Sequence, residues 1–153
     1  MTFGAIEIFY ATLCVLVIIP VLWVNRHLFC GPQGHRTSLI ELALAAFGLP
    51  ALLIGWYHNI AYMNGYPELN GWLHWTSLLF VNPASASAGQ DLIFANLFLF
   101  PLWNMIEGRR HRMKLWWWYF PMSLLTSYAF GIALFMIMQL RQMRFNEQQA
   151  AAA

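Results

Sequence analysis

The sequence Arg109-Arg110-His111-Arg112-Met113-Lys114 separates two long apolar runs and is the densest group of charges in the chain. Elsewhere charge is scarce: 9% of the 153 residues are charged, 60% are hydrophobic, and the mean hydropathy is +0.54. Soluble domains carry roughly 25% charged residues. About four apolar runs are long enough to cross a bilayer, which takes roughly 17 to 25 residues. The composition therefore predicts an all-α protein embedded in a membrane.

Turn-forming and basic residues divide the chain into four predicted membrane helices. They run over about residues 3–25, 38–63, 91–107 and 115–140. Ser38 with Glu41 three residues later has the spacing of a capping box, which predicts the start of helix 2. The stretch 71–80 is too short to span, and Trp72 and Trp75 predict that it lies as a helix in the interface. The predicted fold class is a multi-pass bundle of about four transmembrane helices plus one short interfacial helix.

The distribution of Lys and Arg predicts how this bundle is oriented. Short loops rich in these residues face the cytoplasm. The loop after helix 1 carries Arg26 and Arg36, and residues 109–114 join helices 3 and 4, so the two loops share one side. The opposite side has only Arg141 and Arg144. Both termini are therefore predicted to face away from the cytoplasm, whereas a re-entrant segment would move one of them.

Two carboxylates flank helix 3. Asp91 and Glu107 are roughly 24 Å apart along a helix that rises 1.5 Å per residue, so they cannot form a paired-carboxylate active site within one chain. Glu107 lies at the helix end, where the macrodipole opposes a negative charge. Arg109 and Arg110 follow it directly. We therefore expect Glu107 to belong to an interfacial ion-pair cluster that orients the hairpin.

A second ion pair is predicted at the other end of the hairpin. Helix 3 begins where helix 4 ends in this topology, so Asp91 is expected to approach Arg141 or Arg144. An exposed pair of this kind contributes only about 0 to 1 kcal/mol. Its expected role is to set the register of the two helices.

Polar and small residues mark the faces that turn towards other helices. Asn96 and Asn104 lie within roughly 80° of each other around helix 3. Amide groups in lipid need partners, so this face is predicted to contact protein. On helix 4, Ser123, Ser127 and Gly131 recur every four residues. Small residues at this spacing let helix backbones approach closely, and we interpret the stripe as packing rather than as a transport path.

Histidines are the only candidate ligands for a cofactor. His58 is expected within helix 2, towards its non-cytoplasmic end, with His74 on the same side. A neutral imidazole at His58 could ligate haem iron or the magnesium of a chlorophyll-type pigment. The other three histidines fall in loops, and no metal site is predicted. Cys14 and Cys30 are expected at different depths, so no disulfide is predicted between them.

Several landmarks of the sequence resemble those of a known family. They are Asn82 with Ser85 ahead of Asp91, then Glu107-Gly108-Arg109-Arg110, and then Leu140-Arg141. The stretch from about residue 50 to 144 resembles a bacterial membrane-protein family catalogued only as a domain of unknown function, whose members are short three-helix proteins. The resemblance implies a three-helix core and a bacterial inner membrane as the location. It supplies no chemistry.

The resemblance also predicts how the chain is organised. Residues 1–144 form a single bundle, in which helix 1, residues 1–25, is an addition to the family-like core over about 50–144. The tail over residues 145–153 has no apolar period and is expected to fray. An added apolar helix is most simply explained by something outside the core that it must touch.

The sequence contains no catalytic motif, phosphate-binding loop or metal-ligand spacing, and a net charge of +2 does not indicate nucleic-acid binding. We therefore expect no enzyme activity. The predicted function is that of an accessory, stabilising or assembly subunit of a larger membrane complex, with photosynthetic and respiratory complexes as candidate energy-transducing settings. Its expected partners are the bilayer, with bound lipid, and other membrane subunits docked on helix 1 or on the aromatic face of helix 4. Two alternatives stay open: a pigment- or haem-binding energy-transfer subunit, and a small homo-oligomeric carrier in which Asn96, Asn104 and the serines of helix 4 face a shared cavity.

Overall fold

The computed structural model describes residues 4–30, 37–69 and 71–152, and the regular elements in these ranges are all helical. The seven α-helices are α1 (Ala5–Val24), α2 (Leu39–Gly65), α3 (Trp72–Leu78), α4 (Pro83–Phe94), α5 (Phe100–Arg110), α6 (Tyr119–Leu125) and α7 (Tyr128–Ala152). Short 3₁₀ turns occupy Arg26–Leu28 and Trp116–Trp118, and a π-helical turn over Ala95–Leu99 joins α4 to α5. The all-α prediction is confirmed.

Side-chain caps fix where two of these helices begin. The Ser38 hydroxyl accepts from the Glu41 backbone N–H at 3.2 Å, and Glu41 Oε2 accepts from the Ser38 N–H at 2.7 Å. This confirms the capping box predicted for helix 2. At α4, Asn82 Oδ1 accepts from the backbone N–H of Ser85 at 2.9 Å, and Pro83 occupies the first turn. Such caps satisfy backbone donors that a helix leaves unpaired at its start.

The first two helices are long and apolar enough to cross a membrane. α1 has 20 residues and α2 has 27, and only 18% and 11% of their most apolar windows are buried within the described chain. A third long helix was predicted to begin at Asp91. It begins instead at Pro83 and remains helical to Arg110 through the π-helical turn. The Asn82 cap explains the earlier start, because it closes the first turn ahead of the apolar run.

The helix predicted over residues 115–140 is interrupted. α6 ends at Leu125, and α7 begins at Tyr128 after a break at Thr126 and Ser127. The Thr126 hydroxyl donates to the carbonyl of Met122 at 2.7 Å, as Ser and Thr side chains often do near helix ends. The chain reverses at this break, so that α6 and α7 pack side by side as a hairpin.

The reversal changes the meaning of the small-residue stripe on helix 4. Ser123 and Gly131 do not lie one above the other on a single helix face. They face each other across the hairpin, where a Cβ added at Gly131 would lie 2.5 Å from Ser123 Cβ and 3.0 Å from its Cα. The predicted single-helix stripe is therefore wrong, although these small residues do allow close packing.

The hairpin also returns the C-terminal helix to the end of the bundle that holds residues 111–114, the connection after α5 that we call the basic loop. Asn146 Nδ2 donates to the carbonyl oxygen of His111 at 2.9 Å, and Gln139 Nε2 donates to Glu107 Oε2 at 2.7 Å. The prediction that residues 110 and 145 lie on opposite sides is therefore wrong. Residues 145–152, which were expected to fray, continue α7.

As a result, every Lys and Arg in the described ranges lies at one end of the bundle. They are Arg26, Arg109, Arg110, Arg112, Lys114, Arg141 and Arg144. We call this the basic end. The start of α1 lies at the other end, where Phe9 shares a cavity with Tyr62 and Met63 near the end of α2. The first and last described residues thus lie at opposite ends.

The buried core joins α1 to the helices of the second half of the chain. Its members are Val17, Val21, Leu28, Phe100, Met113, Tyr119, Met122, Phe130, Phe135 and Met138. The indole Nε1 of Trp118 donates to the carbonyl of Val17 at 2.9 Å and fixes α1 to the turn that precedes α6. One face of α1, the helix predicted to be an addition to the family-like core, is therefore part of the buried core.

Replacing Gly131 by alanine is expected to destabilise the protein by about 1 to 3 kcal/mol, because the new methyl group overlaps Ser123 and the backbone beside it. The measurement is the melting temperature of the purified protein in detergent. Gly65→Ala is the matched control, since a Cβ there meets nothing within 4 Å. Equal melting temperatures for the two variants would argue against the hairpin.

Candidate functional site

A buried carboxylate ties α2 to α7 at the basic end. Glu41 is 2% exposed, and its Oε1 lies 2.9 Å from Arg141 Nε and 2.6 Å from Arg144 Nη2. The Arg141 guanidinium also stacks over the Phe29 ring at 4.4 Å. Buried charges are tolerated only when they are paired and hydrogen-bonded. This cluster, the Glu41 ion triad, therefore serves to hold the two helices together.

The same contacts overturn the pairing predicted for Asp91. Asp91 is exposed, and its Oδ1 accepts from the neighbouring Gln90 side chain at 2.6 Å. Within the described ranges it forms no ion pair with Arg141 or Arg144. The physical reason is the break between α6 and α7, which turns the arginines back to the basic end, away from the start of the helix that carries Asp91.

Glu107 is the second buried carboxylate, with 7% exposure. It contacts three side chains: Gln139 Nε2 at 2.7 Å, His111 Nε2 at 3.2 Å and Arg110 Nη1 at 3.4 Å. Arg109, also predicted to join this cluster, stacks instead over the ring of Trp116 at 5.3 Å. The cluster links α5 to α7 and to the basic loop. We call such a link between helices through a buried carboxylate a helix tie, and the Glu41 ion triad is another.

The two asparagines of the predicted polar stripe have different surroundings. Asn96 is half-buried, and its Oδ1 accepts from the Ser123 hydroxyl on α6 at 2.7 Å. Asn104 is fully buried, and neither polar atom of its side chain has a hydrogen-bond partner among the described residues. Leaving a buried polar group unpaired costs about 1 to 3 kcal/mol. The described residues offer no compensating hydrogen bond for Asn104.

A cavity of about 340 Å³ lies beside the break between α6 and α7. Its polar lining includes Asn59, Asn96, Ser123, Thr126 and Ser127, and the indoles of Trp72 and Trp75 form part of its wall. A second cavity of about 250 Å³ shares Asn59, Trp72 and Trp75 with it. We call the two together the hairpin cavity.

The hairpin cavity has a mostly apolar wall that carries a few uncharged hydrogen-bonding groups. No Asp, Glu, Lys or Arg is among the described residues that line it. The side chains of Asn59 and Ser127 make no hydrogen bond within the described part of the chain, so both are available to a molecule in the cavity. Such a lining suits a neutral ligand with hydrogen-bonding groups.

The candidate cofactor ligands lie in different settings. His58 is exposed on α2, with its ring against the edge of Tyr57 at 5.2 Å between centroids. His74 is half-buried, and its Nδ1 lies 2.9 Å from the Tyr62 hydroxyl. No group of three or more potential metal ligands occurs among the described residues. Ligation of haem or a pigment through His58 stays a prediction, which an absorption spectrum of the purified protein tests.

Sequence reasoning missed both the Glu41 ion triad and the hairpin cavity. Glu41 was interpreted only as a cap residue, because its arginine partners were placed at the far end of a continuous helix 4. The available signal for the break was the polar pair Thr126-Ser127 in the middle of an otherwise apolar run. Once the hairpin is in place, both features follow from it.

The fold thus defines an all-α protein with two helices of membrane-spanning length and an uncharged internal cavity. The chain belongs to the family described as protein of unknown function DUF2834, which matches residues 40–141. This confirms the resemblance to a family of unknown function. The match contains Glu41, Arg141 and the break at Thr126, and it leaves α1 outside. No curated protein and no solved structure matches the chain.

Proposed function

We propose that the chain is a multi-pass membrane protein with three crossing segments and one re-entrant hairpin. α1, α2 and the continuous helix from Pro83 to Arg110 are the crossing segments; the last is roughly 40 Å long at 1.5 Å per residue. The break between α6 and α7 contains the buried Thr126 and lines a cavity. Irregular backbone at membrane depth is tolerated in such surroundings.

The charge distribution supports one orientation for this arrangement. The basic end carries all the Lys and Arg residues of the described ranges, whereas Glu7, Glu68 and Asp91 lie at or near the opposite end. By the positive-inside rule the basic end faces the cytoplasm. The start of α1 is then non-cytoplasmic and the end of α7 cytoplasmic, in the inner membrane of a bacterium.

We further propose that the protein is a non-catalytic accessory subunit of a larger membrane complex. Its buried carboxylates are engaged in helix ties, and the described lining of the hairpin cavity lacks a charged acid or base that could transfer protons. The polar chemistry of the chain therefore supports assembly and packing better than turnover.

The observation that carries this proposal is a groove of about 560 Å³ between α1 and α2. Ala11 and Thr12 are small residues in its lining, and Ile8, Leu53 and Tyr57 supply exposed apolar walls. Small residues let membrane helices approach closely, so the groove suits a helix of a neighbouring subunit. α1 forms one side of it and lies outside the family match, as expected for a helix added for a specific partner.

The test is to fill the groove. Ala11→Phe is expected to release the protein from its complex in a mild detergent, seen as a shift to the mass of the free chain on a native gel. Leu16→Phe is the matched control, because Leu16 is exposed on the same helix but does not line the groove. A complex of unchanged mass in the Ala11→Phe variant would refute docking at this groove.

A second candidate function is that of a small carrier for a neutral polar solute. A carrier was expected to bring Asn96, Asn104 and the helix 4 serines to a shared cavity. Asn96, Ser123 and Ser127 do line the hairpin cavity, whereas Asn104 is buried elsewhere. Discontinuous helices beside a cavity are the usual sites of membrane transporters. This observation favours solute binding at the hairpin tip.

A further inference from the structure

A depression of about 600 Å³ at the basic end lies between three elements: the basic loop, helix α7, and the 3₁₀ turn that follows α1. Its polar lining includes His27, Arg110, Arg112, Lys114, Gln142 and Asn146. We call it the basic depression. It is distinct from the hairpin cavity, and neither the helix ties nor the proposed accessory function accounts for it.

The positive charges of the basic depression are only partly balanced. Arg110 shares Glu107 with His111 and Gln139. Arg112 and Lys114 are exposed and form no ion pair with the described residues, and no acidic side chain lines the depression in the described part of the chain. Like charges placed around one concave surface repel one another, and an anion seated among them removes that repulsion.

The loop backbone holds these cations in defined positions. The Arg112 N–H donates to the Arg109 carbonyl at 3.2 Å, and the Met113 N–H donates to the Gly108 carbonyl at 2.8 Å, which is a Schellman motif closing α5. Arg112 has φ of 57° at the position where helices usually end in glycine. Met113, 5% exposed, anchors the loop in the core. An arginine retained in a left-handed conformation is a reason to look for a function of its side chain.

His27 reports the electrostatic field in the depression. Its pKa is lowered by burial, and by the nearby positive charges of Lys114 and Arg26. The ring also packs edge-on against Phe145, with 5.2 Å between the centroids. A bound anion would oppose the effect of the cations and raise the pKa of His27 again, which makes this side chain a built-in probe.

We propose that the basic depression binds a phosphate group. Arg and Lys supply the donors and charge that phosphate oxygens prefer. The run Trp116–Trp118 begins two residues after Lys114, and tryptophans favour the headgroup level of a bilayer. Basic pockets on the cytoplasmic side of membrane proteins bind anionic lipid headgroups. The phosphate is therefore that of an anionic phospholipid or of a soluble phosphate anion.

The experiment separates these two sources. The protein, with its histidine rings isotope-labelled, is placed in nanodiscs of phosphatidylcholine alone, of phosphatidylcholine with phosphatidylglycerol, and of phosphatidylcholine with added inorganic phosphate. NMR then follows the titration of His27. A rise in its pKa with phosphatidylglycerol alone identifies the lipid source, and a rise with inorganic phosphate identifies the soluble one. An unchanged pKa in both arms overturns the proposal.

Matched variants decide whether a defined site or a diffuse positive surface is responsible. Arg112→Gly removes one charge and relaxes the backbone, so the fold is retained, and Lys114→Gln removes another. Each is expected to weaken binding about fivefold, the effect of one basic residue near an anionic surface. The control is Arg109→Gln, since Arg109 lies in the last turn of α5, next to Arg110, but does not line the depression. An equal loss in Arg109→Gln would overturn the site in favour of a diffuse surface.

Discussion

Replacing Glu41 by alanine is expected to destabilise the folded chain by about 3 to 5 kcal/mol, because it leaves the buried Arg141 and the partly buried Arg144 without their shared carboxylate. α7 would then lose its ion-paired attachment to the start of α2. The measurement is equilibrium unfolding of the reconstituted protein, with the melting temperature in detergent as a second reading.

The control for this experiment is Glu68→Ala, which removes an exposed acid that forms no ion pair among the described residues. That variant is expected to change the unfolding free energy by less than about 0.5 kcal/mol. A double-mutant cycle between Glu41→Ala and Arg144→Ala then isolates their interaction, with an expected coupling of about 0.5 to 3 kcal/mol. No measurable coupling would contradict the pairing of these two side chains.

The features of the fold that the sequence predicted are those set by local chemistry. Ser38 and Glu41 cap α2 because a hydroxyl and a carboxylate three residues apart satisfy each other's backbone donors. The stretch around Trp72 is a short helix, bounded by Gly71 at its start. These interactions lie within a few residues of one another, so a single sequence contains the information that they need.

The break in the predicted helix 4 could not be predicted in the same way. Ser123, Ser127 and Gly131 have the spacing of a helical stripe, and the same spacing also suits two short helices packed across a turn. The choice depends on tertiary contacts, such as that between Asn96 and Ser123, which join residues far apart in the chain. Local propensity yields to packing in such cases.

The same difference between local and long-range contacts explains which site residues could be predicted to lie together. Glu107 contacts Arg110 because the two are one helical turn apart, and this was visible in the sequence. The partners of Glu41 lie some hundred residues away, and they became partners only because the chain reverses after Leu125. The one reversal that sequence reasoning missed thus put Arg141 at the wrong end and gave Asp91 an expected partner that it does not have.

The direction of α7 yields the second large effect, which is an all-or-none result in labelling. The experiment uses a background in which Cys14 and Cys30 are replaced, and introduces single cysteines as Arg112→Cys, Glu147→Cys and Glu68→Cys. All three positions are exposed in the folded chain. A membrane-impermeant maleimide is expected to label positions 112 and 147 from the same face of the membrane. Position 68 is expected to react only from the opposite face.

The physical reason is the reversal between α6 and α7, which in the proposed topology makes them one re-entrant hairpin and leaves three crossings before position 147. With the hairpin in place, all described Lys and Arg residues share one end, and the proposed orientation, which follows the positive-inside rule, puts positions 112 and 147 on the cytoplasmic side. A helix 4 that spanned the bilayer would instead send Arg141 and Arg144 to the far side. Labelling of 112 and 147 from opposite faces would therefore restore the continuous helix and exclude the Glu41 ion triad, because its carboxylate and its two arginines would then lie on different sides of the membrane.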